Sequence, residues 1–240
     1  MSKFHLFVSE HFGPTFQGEG PYVGCLRYFI RLGGCNLHCV WCDTPYAWDW
    51  TGKLGTKYDL KKELTRFSPE ELLEVIPKDL DLVITGGEPL LQAIALERFI
   101  SILPDSIRVV EIETAGTVPP LRDIDLMMMS PIVHYNVSPK LGHSGNLIKE
   151  RLVEGILEQF LERPTSIFKF VVQREEDIIE IESLRKTYGI PRKKIWLMPE
   201  CLTREEHDRR LKGLAATCLE EGYNLSPRLQ VEIWGNVRGV

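Results

Sequence analysis

The alternation of two kinds of segment along the chain is the feature that most constrains its fold. Short runs rich in apolar, β-branched and aromatic residues predict strands, and they lie at 26–32, 82–85, 107–113, 126–129, 167–172, 195–198 and 229–234. Helical patterns lie between these runs, after Ser68, at 91–103, 147–161 and 175–188, and after Thr203. Strands that alternate with helices form a mostly parallel sheet covered by helices. The sequence therefore predicts the α/β class.

Two of the predicted helices carry start signals. Ser68 is followed by Pro69 and then by Glu71, which together form a capping box with a first-turn proline. Thr203 and Glu206 repeat the capping box before a second helical pattern that runs to about residue 220. We therefore expect a helix to begin directly after each of these two caps.

The length of the chain limits how many strand–helix units it can contain. Its 240 residues suit one domain, and we expect residues 1–240 to form a single domain. A complete eightfold barrel typically needs about 250 residues. Residues 45–80 also have a mixed pattern, whose fold the sequence does not predict. We therefore expect an open α/β layer or a partial barrel with fewer than eight repeats.

The composition excludes several classes of protein. Hydrophobic residues make up 43% and charged residues 26% of the chain, as in ordinary globular proteins. The net charge of −5 argues against a general nucleic-acid binder or a polybasic membrane protein. No apolar run approaches the roughly 18 residues that span a bilayer, and Met1–Leu6 leads into mixed polar sequence without a signal-peptide core. We therefore expect a cytoplasmic protein that binds neither nucleic acid nor membrane.

The cysteines are divided into a crowded group and a scattered group. Cys35, Cys39 and Cys42 have the spacing C-x3-C-x2-C. The scattered group comprises Cys25, Cys201 and Cys218. Six cysteines allow three disulfides, but a chain of this length does not need such cross-links. Crowded thiols in a reducing compartment indicate a metal site instead, and we expect the scattered group to be unpaired core thiols.

Three thiolates on one loop suit three corners of a cuboidal iron–sulfur cluster, with one iron left open for a ligand. The loop follows the predicted strand 26–32, and α/β sheets place their active sites at the carboxyl ends of strands. One alternative is a zinc site with His38 as the fourth ligand, although structural zinc usually uses two paired knuckles and no second one is present. Three unliganded cysteines are the other alternative, which the spacing disfavours.

The crowded cysteines, with Trp41 before the third one, resemble the signature of the radical S-adenosylmethionine superfamily. Thr85-Gly86-Gly87-Glu88-Pro89 and Ser138-Pro139-Lys140 resemble two further elements of that superfamily. The resemblance implies an incomplete TIM-like (β/α) barrel in which Cys35, Cys39 and Cys42 hold a [4Fe-4S] cluster. It implies that S-adenosylmethionine contacts Trp41, Cys42, Asp43, Gly87, Glu88, Ser138, Pro139 and Lys140.

Other segments are similar to one family of that superfamily, the 7-carboxy-7-deazaguanine synthases. Phe12-Gly13-Pro14-Thr15-Phe16-Gln17-Gly18-Glu19-Gly20 resembles the substrate-binding opening of this family, and 113–117 and 234–240 resemble later elements. The resemblance runs from residue 8 to residue 240. It implies a lyase that converts 6-carboxy-5,6,7,8-tetrahydropterin to 7-carboxy-7-deazaguanine with loss of ammonia, in the pathway of queuosine and other 7-deazapurines.

The same resemblance implies a set of substrate-binding residues, which are Phe16, Gln17, Gly18, Glu19, Arg31, Thr85 and Val240. A guanidinium binds a carboxylate through two charge-assisted hydrogen bonds, so Arg31 suits the substrate carboxylate. A salt bridge at the surface is the alternative role for Arg31. Polar groups at Gln17 and Glu19 suit the edge of the pterin. Val240 is implied to place its α-carboxylate in the site, and a frayed tail is the alternative.

The family also implies a magnesium ion, a protein partner and an assembly. Thr44 is the implied Mg²⁺ ligand, because magnesium takes oxygen ligands and keeps several waters, with a helix cap as its rival role. A reductant such as flavodoxin or ferredoxin and a homodimer are further implications. Met198 departs from the family, in which relatives often carry glutamine before the proline. The competing hypotheses are an activating enzyme for glycyl-radical enzymes and a non-catalytic zinc or iron–sulfur protein.

Overall fold

A computed structural model describes residues 4–122 and 131–240, and its strands form one nine-stranded sheet. The strands are β1 (Leu6–Phe16), β2 (Leu26–Leu32), β3 (Thr65–Phe67), β4 (Leu82–Gly86), β5 (Val109–Thr114), β6 (Ile132–Val137), β7 (Ser166–Val172), β8 (Ile195–Pro199) and β9 (Asn224–Leu225). Their order across the sheet is β3-β1-β2-β4-β5-β6-β7-β8-β9. The predicted strand at 126–129 lies outside the described residues.

The sheet is parallel over most of its width. Every neighbouring pair from β2 to β9 is parallel, whereas β1 runs antiparallel to β2 and β3. The outermost strands β3 and β9 do not close on each other. Within the described part of the chain, this gives seven mutually parallel strands in an unclosed sheet. The expected partial barrel with fewer than eight repeats is therefore confirmed.

Helices connect most of the strands. They are α1 (Leu60–Glu63), α2 (Pro69–Val75), α3 (Ala93–Ser101), α4 (Ile148–Arg151), α5 (Ile156–Leu161), α6 (Glu176–Tyr188), α7 (Arg204–Glu221) and α8 (Leu229–Trp234). The predicted capping box of α2 is present, since Ser68 and Glu71 each accept a hydrogen bond from the other's backbone N–H. Thr203 caps α7. None of the helices in the described ranges is long and apolar enough to cross a membrane.

Large aromatic side chains fill the space between the sheet and its helices. Phe99 of α3, Phe160 of α5 and both Phe168 and Phe170 of β7 are fully buried in one core. Burying a side chain of this size stabilises the fold by about 1.5–3 kcal/mol. Lys169 lies between the two β7 phenylalanines, so its side chain points to the other face of the strand. The core therefore lies on the helix side of the sheet, and polar residues are directed inward.

The strand predicted at 229–234 is wrong, because this segment is the helix α8. Its backbone hydrogen bonds have helical spacing. Val231 N and Glu232 N both donate to Arg228 O, and Gly235 N donates to Val231 O. Leu229 N donates to Gly18 O at 3.0 Å, which holds the start of the helix against the segment after β1. An alternating apolar pattern over six residues does not distinguish a strand from a short helix.

Two other segments depart from the sequence prediction. The helix predicted at 147–161 is divided into α4 and α5, because Gly155 between them has a φ of +74° that L side chains rarely adopt. The sequence did not predict β1. Its eleven residues mix polar and apolar positions, and its pairing with β2 contains two register shifts, so it lacks a regular alternation.

Candidate active site

A cavity of about 450 Å³ lies at the carboxyl ends of the parallel strands, where such sheets place their active sites. It brings together most of the predicted site residues, which are Phe16, Gln17, Gly18, Glu19, Arg31, Cys35, Cys39, Trp41, Cys42, Asp43, Thr44, Thr85, Gly87, Ser138, Lys140 and Val240. Glu88 and Pro139 are buried and do not line it. The predicted substrate, cofactor and metal positions therefore share one space.

The cysteine loop directly follows β2 and is fastened to the turn after β4. Glu88 N donates to Gly34 O at 2.8 Å, and Gly87 N donates to Leu32 O at 3.0 Å. A Cβ atom on Gly87 would lie only 2.1 Å from Gly34 O. The turn therefore requires glycine at position 87. The close contact between Gly87 and Gly34 fixes the position of Cys35, the next residue of the loop.

The three loop cysteines lie together in a small apolar cluster with Leu37, Trp41 and Ala115. Each thiol accepts a hydrogen bond from a nitrogen: Cys35 Sγ from Leu37 N at 3.4 Å, Cys39 Sγ from Asn146 Nδ2 at 3.3 Å, and Cys42 Sγ from Trp48 Nε1 at 3.2 Å. Burial raises the pKa of Cys35 to about 12 and also raises the pKa of Cys39. A cluster held by these sulfurs would therefore have to displace their protons.

The surroundings of His38 do not fit the zinc alternative. His38 Nε2 lies 2.8 Å from Lys53 Nζ, and its ring packs edge-on against Trp48. Within residues 4–122 and 131–240, no three His, Cys, Asp or Glu side chains converge on one metal position. A cuboidal cluster does not need such convergence, because each thiolate binds a different iron. The loop cysteines, beside open cavity space, therefore fit an iron–sulfur cluster.

The remaining cysteines are also free thiols. Cys201 and Cys218 are buried, as expected for core residues. Cys25 is only half-buried, so its assignment to the core is wrong. It lies at the start of β2, where the chain enters the sheet from a turn closed by Gln17 N and Cys25 O.

Arg31 pairs with Glu10, a residue that the sequence analysis did not identify. Arg31 Nε donates to Glu10 Oε1 at 2.6 Å, and the same carboxylate accepts hydrogen bonds from Tyr46 Oη and Arg238 Nε, both at 2.8 Å. Burial alone would raise the pKa of Glu10, but the charge of Arg31 and these hydrogen bonds hold it below its ordinary value. Glu10 is therefore an anion that supports Arg31 beside the cavity.

Glu19 is held by cationic and amide groups of the chain. Its carboxylate accepts hydrogen bonds from Lys169 Nζ, from Arg228 Nε at 3.2 Å and from Gln230 Nε2 at 2.7 Å. Arg228 also binds Asp43, which follows the third loop cysteine. Burial opposes ionisation of Glu19, but Lys169 and Arg228 lower its pKa to about 2. This network ties Glu19, in the predicted substrate-binding opening, to β7, α8 and the end of the cysteine loop.

A second polar network forms the cavity floor. Gln17 Nε2 donates to Glu111 Oε1 at 2.6 Å and to Glu113 Oε1 at 3.3 Å, and Thr85 Oγ1 donates to Glu113 Oε2 at 2.9 Å. Asn136 Nδ2 also reaches Glu111, at 3.3 Å. Burial, together with the charge of Glu113, raises the pKa of Glu111 to about 8. Glu111 lies behind the lining residues Gln17, Glu113 and Asn136 and therefore holds its proton to a higher pH than an ordinary carboxyl group.

Glu88 shapes the wall without entering the cavity. Its carboxylate accepts hydrogen bonds from Thr114 Oγ1 and Ala115 N, both at 2.8 Å, and from Leu90 N at 3.1 Å. Burial raises its pKa above the ordinary value. Glu88 therefore joins the end of β4 to the end of β5, and its predicted contact with the cofactor is untested.

The remaining predicted positions surround the cysteine loop. Lys140 Nζ donates to Ser138 Oγ at 3.0 Å and lies 5.6 Å from the centre of the Trp41 ring. Thr44 Oγ1 lies 3.7 Å from Cys42 Sγ, and its side chain makes no capping bond to the short helical turn that follows. The rival role of Thr44 as a helix cap is therefore not observed.

The fold and the cysteine loop define a radical S-adenosylmethionine enzyme. A family model described as the radical SAM superfamily matches residues 29–163. At a finer level, a 7-carboxy-7-deazaguanine synthase from Pyrobaculum aerophilum is 35% identical over 229 residues, which cover 94% of this chain and 93% of the relative. One from Rhodopirellula baltica is 34% identical over 245 residues, covering 99% and 90%. The chain belongs to the 7-carboxy-7-deazaguanine synthase family.

A solved structure agrees with this assignment. The crystal structure of QueE from Escherichia coli superposes with a TM-score of 0.64 at 27% identity, covering 92% of this chain and 93% of that one. The expected superfamily and family are thus confirmed. Membership makes a [4Fe-4S] cluster and S-adenosylmethionine the cofactors of this chain.

Proposed function

We propose that this chain is a carbon–nitrogen lyase that converts 6-carboxy-5,6,7,8-tetrahydropterin to 7-carboxy-7-deazaguanine with loss of ammonia, in the pathway of queuosine and other 7-deazapurines. The observation that carries the proposal is one cavity that joins Cys35, Cys39 and Cys42 to Arg31 and to a polar floor. Family membership at 35% identity over nearly the whole chain supports it. Anaerobic turnover of the carboxy-tetrahydropterin with mass analysis of the product tests it.

Contraction of the six-membered ring begins with removal of an unactivated hydrogen, which acid–base side chains do poorly. The bound cluster and S-adenosylmethionine supply a 5′-deoxyadenosyl radical for this purpose. The chain itself must position the substrate beside that radical and exclude water. The cysteine loop and the polar residues Gln17, Thr85 and Glu113 line the same cavity, so a bound substrate would lie next to the source of the radical.

The substrate carboxylate is assigned to Arg31. The guanidinium borders the cavity and uses its Nε for Glu10, whereas a carboxylate can be bound through the terminal nitrogens as well. Glu10 holds the planar group in one orientation and balances its charge before substrate arrives. Arg31 is therefore pre-organised for an anionic ligand.

The polar edge of the pterin is assigned to the substrate-binding opening and the floor. Gln17 and Thr85 present an amide and a hydroxyl beside Glu113. A carboxylate has about four lone-pair sites, and three donors of the chain already bind Glu19. One site on Glu19 is thus left for an amino group of the substrate. Phe16, Gly18 and Val240 line the same cavity and complete the proposed substrate-binding set.

The S-adenosylmethionine site is assigned to the walls around the cysteine loop. Gly87 admits the tight turn beside Cys35, and Lys140 with Ser138 supplies a cation and a hydroxyl facing Trp41. These groups match the carboxylate and amine of an amino acid. Asp43, Glu88 and Pro139 are proposed to contribute through position and backbone contacts.

A magnesium ion is proposed at Thr44. Its hydroxyl is a hard oxygen on the cavity wall, next to the cluster loop. Magnesium keeps several waters, so one protein oxygen is sufficient when the substrate supplies others. Turnover assayed with and without Mg²⁺ tests this assignment, and an indifferent rate contradicts it.

The proposed partners follow from the chemistry. A cluster that must be reduced needs a one-electron donor, for which a flavodoxin or ferredoxin is proposed. Six free thiols suit the reducing cytoplasm, and a homodimer is proposed from the family. An activating enzyme for glycyl-radical enzymes is not favoured, because the family membership and the opening at 17–20 fit a small substrate.

A further inference from the structure

Two side chains outside the cysteine motif donate hydrogen bonds to the cysteine sulfurs. Trp48 Nε1 lies 3.2 Å from Cys42 Sγ, and Asn146 Nδ2 lies 3.3 Å from Cys39 Sγ. The two donors come from different parts of the chain, since Asn146 is 107 residues from Cys39 in sequence. Neither is among the residues that the family resemblance assigned to cluster, cofactor or substrate.

The position of Trp48 is fixed by its surroundings. It is 7% exposed, and its ring packs against His38 at a centroid distance of 5.1 Å. Gly34 N donates to Ala47 O at 2.7 Å, which ties the turn before Trp48 to the residue that precedes the cysteine motif. The indole N–H is therefore held toward Cys42 by packing and by backbone bonds.

The amide of Asn146 has one chemically consistent orientation. His38 N, which can only donate, lies 2.8 Å from Asn146 Oδ1. The atom that faces His38 must then be the amide oxygen, so the amide nitrogen faces Cys39. Ser144 Oγ, at 3.2 Å from the same nitrogen, helps to hold it in place. Asn146 is thus a donor to the sulfur.

We propose that Trp48 and Asn146 are positioning residues that orient the cluster ligands and raise the reduction potential of the cluster. Reduction adds negative charge that is shared by the cysteine sulfurs, and an N–H dipole aimed at a sulfur stabilises that charge. The effect is large in a buried, low-dielectric setting. The proposal rests on the cluster chemistry of the proposed function and is independent of the identity of the substrate.

Cys35 and Trp41, which lie near the two proposed donors, show what distinguishes these donors. Cys35 accepts its hydrogen bond from the backbone at Leu37 N, which no side-chain substitution other than proline removes. Trp41 lies in the loop itself, yet within the described chain its buried indole nitrogen has no hydrogen-bond partner. An indole near the cysteines therefore does not by itself make an N–H···S bond, and Trp48 is distinguished by its geometry.

The test is a redox titration of the reconstituted enzyme, followed by electron paramagnetic resonance, on the variants Trp48→Phe and Asn146→Leu. Trp48→Phe removes the indole N–H and keeps an aromatic ring, and Asn146→Leu removes the amide donor together with the oxygen that accepts from His38 N. We expect each variant to keep its iron and sulfide content and to shift the midpoint potential to a more negative value. Because the two donors serve different thiolates, the shifts should add in the double variant. Trp50→Phe is the matched control, because Trp50 is a half-buried indole two residues from Trp48 that does not line the cavity, and its potential should equal that of the unaltered enzyme.

Unchanged potentials in both fully loaded variants would overturn the proposal. Should a variant fail to hold its cluster, pulsed resonance on the unaltered enzyme in H₂O and D₂O decides instead. The indole proton of Trp48 and an amide proton of Asn146 must then couple to the reduced cluster in addition to the backbone proton of Leu37. Absence of such coupling also overturns the proposal. An enzyme that shows the shifts but does not convert the pterin contradicts the proposed substrate alone.

Discussion

Glu10 and Arg31 lie directly opposite each other on the antiparallel strands β1 and β2, and Arg31 Nε donates to Glu10 Oε1 at 2.6 Å. Both side chains are largely buried, so neither charge is tolerated without a partner. Arg238 joins the same carboxylate from the C-terminal segment. One cross-strand pair thus connects the arginine assigned to the substrate with the C-terminal segment 235–240, which also lines the cavity.

Arg31→Gln should raise KM for the carboxy-tetrahydropterin by about 10–100-fold, because a hydrogen bond to a charged group contributes roughly 1.5–3 kcal/mol. Steady-state kinetics measure this, and cleavage of S-adenosylmethionine without substrate should persist. Arg27→Gln is the control, since Arg27 lies on the same strand, pairs with Asp81 at 3.2 Å and does not line the cavity. An unaltered KM in the Arg31 variant removes this residue from the substrate site.

Glu10→Gln should lower the free energy of unfolding at pH 7 by about 1–3 kcal/mol, because it leaves the charge of Arg31 without its anion. The pKa of Glu10 is lower in the folded than in the unfolded state. Its contribution to stability is therefore fully present above the ordinary carboxyl pKa and is lost as pH falls through the lowered pKa of the folded state. Urea denaturation measures it. Glu70→Gln, which breaks an exposed pair with Arg98, should cost much less, and equal losses would refute the role of Glu10.

Glu111→Gln should flatten the pH dependence of stability. Burial and the charge of Glu113 raise the pKa of Glu111 in the fold to about 8, from the ordinary value of 4.5 that applies to the unfolded chain. Stability of the unaltered enzyme should therefore fall as pH rises between these two values, by about 1.4 kcal/mol per pH unit at most for this group. Glutamine still accepts hydrogen bonds from Gln17 and Asn136. Parallel stability curves for the two proteins would contradict a raised pKa at Glu111.

Replacing Cys35, Cys39 or Cys42 by alanine should abolish both iron retention and formation of 5′-deoxyadenosine, since each thiolate binds a separate iron. Iron analysis and chromatography of the nucleoside products measure the two losses. Cys25→Ala is the control, because Cys25 is half-buried and does not line the cavity. A loop-cysteine variant that still cleaves S-adenosylmethionine would overturn the ligand assignment.

Local sequence patterns predicted the parallel part of the sheet. The apolar run 26–32 coincides with β2, and 195–198 lies within β8 (Ile195–Pro199), because buried parallel strands are continuous apolar runs that end at turns. The position of the cysteine loop followed from its place after β2. The same reasoning failed at α8, where an alternating apolar pattern covers a helix of six residues.

Sequence patterns could not predict ion pairs between residues that lie far apart in the chain. Glu19 meets Arg228 across 209 residues and Lys169 across 150, so no local spacing indicates either contact. The one available signal was Lys169 itself, a charged residue inside an otherwise apolar strand that requires a buried anion. Glu10 was missed because the irregular pattern of β1 did not predict a strand opposite Arg31.

The most direct test of the central claim is anaerobic turnover by the reconstituted enzyme. The reaction contains 6-carboxy-5,6,7,8-tetrahydropterin, S-adenosylmethionine, Mg²⁺ and a reductant, and high-resolution mass spectrometry identifies the product. We predict the mass of 7-carboxy-7-deazaguanine together with free ammonia. Formation of 5′-deoxyadenosine while the carboxy-tetrahydropterin is recovered unchanged would contradict the proposed reaction.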